Sequence, residues 1–429
     1  MKEKKKKIGF ILSILCILLI PGLEVLFIIG YNSSYLIRIP FFITIGVLIL
    51  LLTVLLFISI KIFVDNRNAN KRKIKRWLKN VFYIFMGLYI AGCVALIVLL
   101  YGPSDKFKSW LITTAMQTMN HQYLCKWFYN AEQIKEVMDN NYVKESGEST
   151  DASLIDKEIK DTYIDEYDKQ ILDVEEGTKY KIIQFEVDGQ KAYLAAIYDP
   201  SKVKLAVTET LDYMGEYVTM MAQKNNAILA INGGGFYDPT GAGWGGTPSG
   251  VTIKDGKIIT NDSFPMSAGG IIGFNNDNIL VLVKNKNAQQ AIEMGIRDAV
   301  SWGPFLIVNG VPSEVSGNGG WGYGARTAIG QRADGIVLFL VVDSNASRTR
   351  GADMADLRDI MIKYHAINAA NLDGGTSSVM ALPRQVAINE YGATCHDFFT
   401  KYACAINDPI DSTGTHQTRY IADAWIVVE

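Results

Sequence analysis

Asn371-Leu372-Asp373-Gly374-Gly375-Thr376-Ser377-Ser378 decides how this chain is read. The small apolar residues from Ala366 to Leu372 form a run that reads as a buried strand. The run ends on a carboxylate, two glycines and three hydroxyls, a combination that strand interiors disfavour. A carboxylate at a strand end, beside glycines that let a ligand approach the backbone, is a common way to build a site on a sheet. A tight Asp-Gly turn is the plainer reading of the same residues.

A second segment has the same texture. Ala227–Asn232 follows an apolar periodicity at Leu211, Met214, Val218 and Met221 and runs into Gly233-Gly234-Gly235. The Asp373 strand follows the periodicity of Met354, Leu357, Met361 and Tyr364. Both read as helix, buried strand and glycine-rich loop, with the two strand ends aimed at one place. Short alternating runs joined by Asp188-Gly189 and Asp255-Gly256 read as hairpins. Strands predominate, and the expectation is an α+β domain with a mixed β-sheet and a few helices over residues 178–429.

Upstream, residues 8–30, 39–64 and 81–101 are nearly all apolar and long enough to cross a bilayer as helices. They predict a three-span membrane anchor over residues 1–104. Lys2, Lys4–Lys7 and the basic loop from Arg67 to Lys79 place the N-terminus in the cytoplasm, the C-terminal domain outside the plasma membrane, and the spans among membrane lipids. Residues 105–177 read as a helical connector. Residues 1–80 hold 14 Lys/Arg and 3 Asp/Glu, so totals of 42 and 44 leave 28 against 41, a charge of −13, for the rest. That excess excludes nucleic-acid binding through net charge. Cys395 and Cys404, nine apart, could form a disulfide, and no Cys/His cluster suggests zinc.

Candidate site residues fall in four segments. Asn232, Gly233, Gly234, Gly235, Phe236 and Asp238 offer polar groups and backbone N–H groups to a sugar or an anion, without the Lys and spacing of a P-loop. Arg326, with Thr327, interrupts a small apolar stretch, and its guanidinium suits a phosphate or a structural carboxylate. Asp343 ends the strand Ile336–Val342, and Asp373 leads into Gly374, Gly375, Thr376, Ser377 and Ser378. Two carboxylates at strand ends suit acid/base work or a divalent cation, with no cofactor firmly indicated.

In this order, these segments and the closing Arg419-Tyr420-Ile421-Ala422-Asp423-Ala424 resemble the phosphodiester glycosidase family over roughly residues 190–429. Some bacterial members are described as exopolysaccharide-related. Ser344-Asn345 stand where the family commonly has Gly-Arg, and Thr376 stands in place of a third glycine. The resemblance implies a hydrolase that cleaves a sugar-1-phosphodiester in a cell-envelope glycan. Asp373 would be base or nucleophile, Arg326 the phosphate clamp, and Asp343 a second carboxylate. Alternatives are a glycan-binding or polymer-assembly module without hydrolysis, and a hydrolase of non-phosphorylated wall polysaccharide.

Overall fold

The central strands of this chain carry apolar residues on both faces, so they are built to be covered twice. Gln190–Ile197 shows how. Tyr193, Ala195 and Ile197 enter one buried cluster. Ala192, Leu194 and Ala196 enter another. In the computed structural model this strand lies in a seven-stranded sheet ordered Val311–Pro312, Phe305–Val308, Ala366–Asn371, Arg326–Arg332, Val337–Val342, Gln190–Ile197 and Tyr180–Val187. The structure describes residue 80 and residues 83–429, except 85, 86, 88–90, 93, 96, 118–121, 158–161, 239–243, 264, 265, 267, 348, 396–400 and 411–413.

Two five-stranded sheets complete the core. One is ordered Ala403–Ala405, Met380–Pro383, Leu229–Asn232, Asp423–Val427 and Val203–Val207. The other is ordered Leu280–Val283, Gly270–Asn275, Ile296–Trp302, Val251–Lys254 and Lys257–Asn261. Their inner faces meet the seven-stranded sheet around Trp425, Phe274, Phe305 and Phe339, all buried. A helix covers each outer face: Met354–Lys363 on the large sheet, Val218–Lys224 and Ala288–Glu293 on the others.

The domain is α+β, as expected, but its sheets are not mixed. Every pairing among the described strands of these three sheets is antiparallel. Tight hairpins suffice for such pairs, whereas parallel neighbours need long crossovers. The first expected helix is also shorter than its periodicity: Leu211 lies in a turn and Met214 in irregular chain before Val218–Lys224. The second begins where Asp353 accepts from the N–H groups of Ala355 (2.9 Å) and Asp356 (3.0 Å), and it feeds the Asp373 strand. Gly330 lets this helix approach, since a Cβ there would lie 3.1 Å from Met361 Sδ.

The three membrane spans are corrected. Among the described residues no helix is long and apolar enough to cross a membrane. The longest helix with described ends, Asp105–Met116, has 12 residues. At 1.5 Å per residue it reaches about 18 Å, against about 30 Å of hydrocarbon. Segments 8–30 and 39–64 lie outside the described residues, and 81–101 is described only in part. Hydropathy measures composition, not the length of a continuous helix. The plasma-membrane placement, the cytoplasmic N-terminus, the external domain and the lipid contacts all rested on those spans and are withdrawn with them.

The chain divides into two units, residues 1–112 with 122–135, and residues 113–121 with 136–429. Within the first, Tyr129 Oη donates to Leu100 O at 2.8 Å. Within the second, acidic residues of the expected connector are held in place. Glu145 accepts from the N–H groups of Gly269 (2.7 Å) and Phe305 (2.6 Å) and pairs with Lys284. Asp168 pairs with Arg332 at 2.6 Å. Cys395 and Cys404 form a disulfide.

Candidate active site

The Asp373 strand lies between Phe305–Val308 and Arg326–Arg332, and its end stays tied to the latter. Leu372 N–H donates to Thr327 O and Gly375 N–H to Ala325 O, both at 2.8 Å. Gly375, at φ +66°, starts the short turn Gly375–Ser377 that holds Thr376. A Cβ on Gly374 would lie 3.0 Å from Ala325 O and 3.1 Å from Arg326 Nη1. Gly375 is therefore needed for the loop to fold back over its own sheet, and a side chain at Gly374 would crowd Ala325 and Arg326.

Asn232, at the end of the other strand, joins the two segments. Its Nδ2 donates to Asp373 O at 2.7 Å, and its Oδ1 accepts from Thr327 Oγ1 at 2.7 Å and Val379 N at 3.2 Å. Asp373 N–H donates to Gly233 O at 3.2 Å. The two glycine-rich strand ends thus meet, although they belong to different sheets.

The glycine triplet works differently from the expected backbone cradle. Gly233 N–H donates to Asp423 O at 3.1 Å, Gly234 N–H to Asp423 Oδ1 at 2.7 Å, and Gly235 N–H to Ser301 O at 3.3 Å. A Cβ would meet Asp423 Oδ1 at 2.1 Å from Gly233 and the Trp302 ring at 1.8 Å from Gly235. The glycines admit Asp423 and Trp302, and their N–H groups are spent on protein acceptors.

Asp373 is half-buried. Burial pushes its carboxyl above the usual range, opposed by the Ser377 hydroxyl, the Arg419 charge, the Gly374 N–H and the Arg326 charge. The Ser377 hydroxyl stands beside the carboxylate without a hydrogen bond of normal geometry. The two arginines differ. Arg326 is 7% exposed and donates from Nε to Ala352 O (3.3 Å) and from Nη2 to Trp321 O (2.6 Å) and Gly322 O (2.8 Å). It orders loops around the sheet end. Arg419 lies over the Phe236 ring at 4.6 Å and bonds Asp238 Oδ2 at 3.2 Å, while its Nε is buried without a partner among the described residues.

Unpartnered atoms concentrate here. Asn371 Oδ1, Ser377 Oγ, Ser378 Oγ, Arg419 Nε and Asp423 Oδ2 are buried and make no hydrogen bond among the described residues. All belong to the Asp373 strand and loop or to groups whose charges interact with Asp373. Buried polar atoms are ordinarily satisfied, so such a group marks where a ligand or water completes the bonding.

Asp343 stands in a separate network. Its carboxylate accepts from Asn407 Nδ2 at 2.9 Å and from Asp408 N at 3.1 and 3.2 Å. Burial pushes it up to about 6 against those bonds. Asn407 Nδ2 also donates to Ser378 O at 2.9 Å, linking Asp343 to the Asp373 loop through backbone. Among the described residues no three or more His, Cys, Asp or Glu side chains gather as metal ligands.

Asp423 and Arg419 were quoted in the closing motif but not singled out as site residues. The signal for Asp423 was an acid at the head of the apolar run Ala424–Val427. Arg419 carried no comparable signal, because its partners lie about 180 residues upstream.

Residues 225–428 match the phosphodiester glycosidase family. An uncharacterized SPbeta prophage-derived protein of Bacillus subtilis is 28% identical over 188 residues, 41% of this chain and 28% of that protein. The match thus spans little more than a quarter of that relative. Among solved structures, the catalytic domain of zebrafish N-acetylglucosamine-1-phosphodiester alpha-N-acetylglucosaminidase, auto-inhibited by its pro-peptide, is 20% identical at a TM-score of 0.44, covering 58% of this chain and 82% of that one. A putative exported protein of Burkholderia pseudomallei is 15% identical at a TM-score of 0.38, covering 56% and 74%. Over residues 225–428 this chain resembles the phosphodiester glycosidases, as a distant homologue.

Proposed function

We propose that the Asp373 site hydrolyses the bond between a sugar and a phosphodiester, releasing free sugar and a phosphomonoester. One observation carries the reading. A half-buried carboxylate influenced by two guanidinium groups sits among unpartnered polar atoms, inside the stretch that matches a phosphodiester glycosidase family. Water adds to the anomeric carbon as its bond to the phosphate oxygen breaks, and Asp373 activates the water or attacks first. A phosphate leaves as an anion, so positive charge can replace much of the proton that an alkoxide would need.

Arg419 suits the phosphate better than Arg326, whose Nε and Nη2 are committed to backbone carbonyls. Asn232 holds the Asp373 backbone, and Ser377, Ser378 and Asn371 offer bonds to sugar hydroxyls. The test is a panel of sugar-1-phosphodiesters beside matched alkyl glycosides. Hydrolysis confined to the phosphodiesters supports the reading. Hydrolysis of the alkyl glycosides alone, or binding of glycans without turnover, refutes it.

A further inference from the structure

Asp423 is 1% exposed and opens the strand Asp423–Val427, between Leu229–Asn232 and Val203–Val207. Its Oδ1 accepts from Gly234 N–H at 2.7 Å, and its Oδ2 is buried without a partner among the described residues. No cation pairs with it among the described residues. One charged side chain acts on it, Asp373, to which it is linked through both backbone groups of Gly233. The cations of the site, Arg419 and Arg326, act on Asp373.

An ionised Asp423 would be a buried anion with one hydrogen bond, set beside a second anion, an arrangement that proteins avoid. Two carboxyls so placed relieve the conflict by sharing one proton. Asp373 is the one to ionise, because it is less buried and faces both guanidiniums. Asp423 is the one to keep the proton, and a carboxylic O–H needs an acceptor. We propose that Asp423 is a positioning residue for Asp373: a neutral acid, tied to the Asp373 backbone through Gly233, that keeps its Oδ2 proton for an acceptor bound in the site, and whose ionisation switches the site off. The switch rests on the reading of Asp373 as the reacting carboxylate, whereas the protonation state does not.

Burial pushes the Asp423 carboxyl up to about 7, with the Gly234 N–H opposing and the Asp373 charge adding to the rise. Above that pH the site would hold two anions, lose the Oδ2 proton as a donor and repel an anionic substrate. The kcat/KM for a sugar phosphodiester should then fall tenfold per pH unit. Asp423→Asn keeps an acceptor for Gly234 and supplies a permanently neutral donor in place of the Oδ2 proton. This alkaline fall should be absent from its profile, whatever its maximum rate.

The proton is read directly by infrared difference spectra between the wild-type full chain and Asp423→Asn from pH 5 to 9. A protonated-carboxyl band in the wild type, lost around neutrality and absent from the variant, supports the proposal. Its absence at pH 5 to 6 overturns it, as does an unchanged alkaline limb in an active variant. Should the variant not fold, isotope labelling of aspartate carboxyl carbons in the wild type separates the Asp423 band, lost near neutrality, from those of Asp343 and Asp356, lost near pH 6. A folded wild type that shows the band but hydrolyses no sugar phosphodiester would refute the proposed reaction and the switch, and leave the neutral Asp423 standing.

Discussion

Replacing Asn232 with alanine should damage folding and catalysis by separable amounts. Asn232 is 1% exposed and makes three hydrogen bonds, to Asp373 O, Thr327 Oγ1 and Val379 N. At about 1 kcal/mol net per bond the loss is about 3 kcal/mol, and a buried Val379 N–H left without an acceptor pushes it upward. For a unit of this size that is a fall in Tm of roughly 6–12 °C. Thr327→Val removes one of the three bonds and keeps the shape, so it should cost about 1 kcal/mol. Urea unfolding of both variants gives the stabilities. Hydrolysis is then assayed well below the lower Tm, where both proteins are folded. Activity should fall further in Asn232→Ala than folding explains, because the Asp373 backbone loses its anchor. A stability loss under about 1 kcal/mol, or full activity in the folded variant, would refute the view that Asn232 holds the two strand ends together.

Arg326→Lys should cost about 3 kcal/mol of stability, because Lys cannot hold the carbonyls of Ala352, Trp321 and Gly322 together. Arg419→Lys should instead raise KM for a phosphodiester about tenfold or more, read by steady-state kinetics. Stability should fall as pH rises from about 4 to 7. Asp343 and Asp423 hold their protons up to about 6 and about 7 when folded, so the folded state binds more protons than the unfolded across that window. For Asp423 alone the full shift is worth about 4 kcal/mol, and urea midpoints of wild type and Asp423→Asn at pH 4.5 and 7.5 measure it. Cys395→Ser opens the bridge to Cys404 and should cost about 2.5 kcal/mol by loop entropy, read in the same unfolding assay.

The sequence showed the Asp373 strand end because its signal is local: an apolar run that stops on Asp-Gly-Gly. It also suggested that the Asn232 strand would point the same way, and Asn232 does bond Asp373. The role of the Gly233–Gly235 triplet was not legible. A glycine freed for a ligand and a glycine making room for Trp302 look alike until the partner strand is in place. Asp423 stayed hidden for a related reason, since its chemistry depends on Gly234 and Asp373, 189 and 50 residues away. Asp343 read as a partner of Asp373, yet Asn407 and Asp408 take its carboxylate, and nothing local announces them. The apolar segments upstream read as spans on hydropathy alone, and among the described residues no helix is long and apolar enough to cross a membrane.

The most direct test compares release of free sugar from N-acetylglucosamine-1-phosphodiesters by the wild type and by Asp373→Asn, with folding of both checked by near-ultraviolet circular dichroism. We expect turnover by the wild type and a loss of a thousandfold or more in a folded variant, because the amide can neither take a proton nor attack the anomeric carbon. Equal rates for the two proteins would contradict the placement of Asp373 at the centre of the reaction.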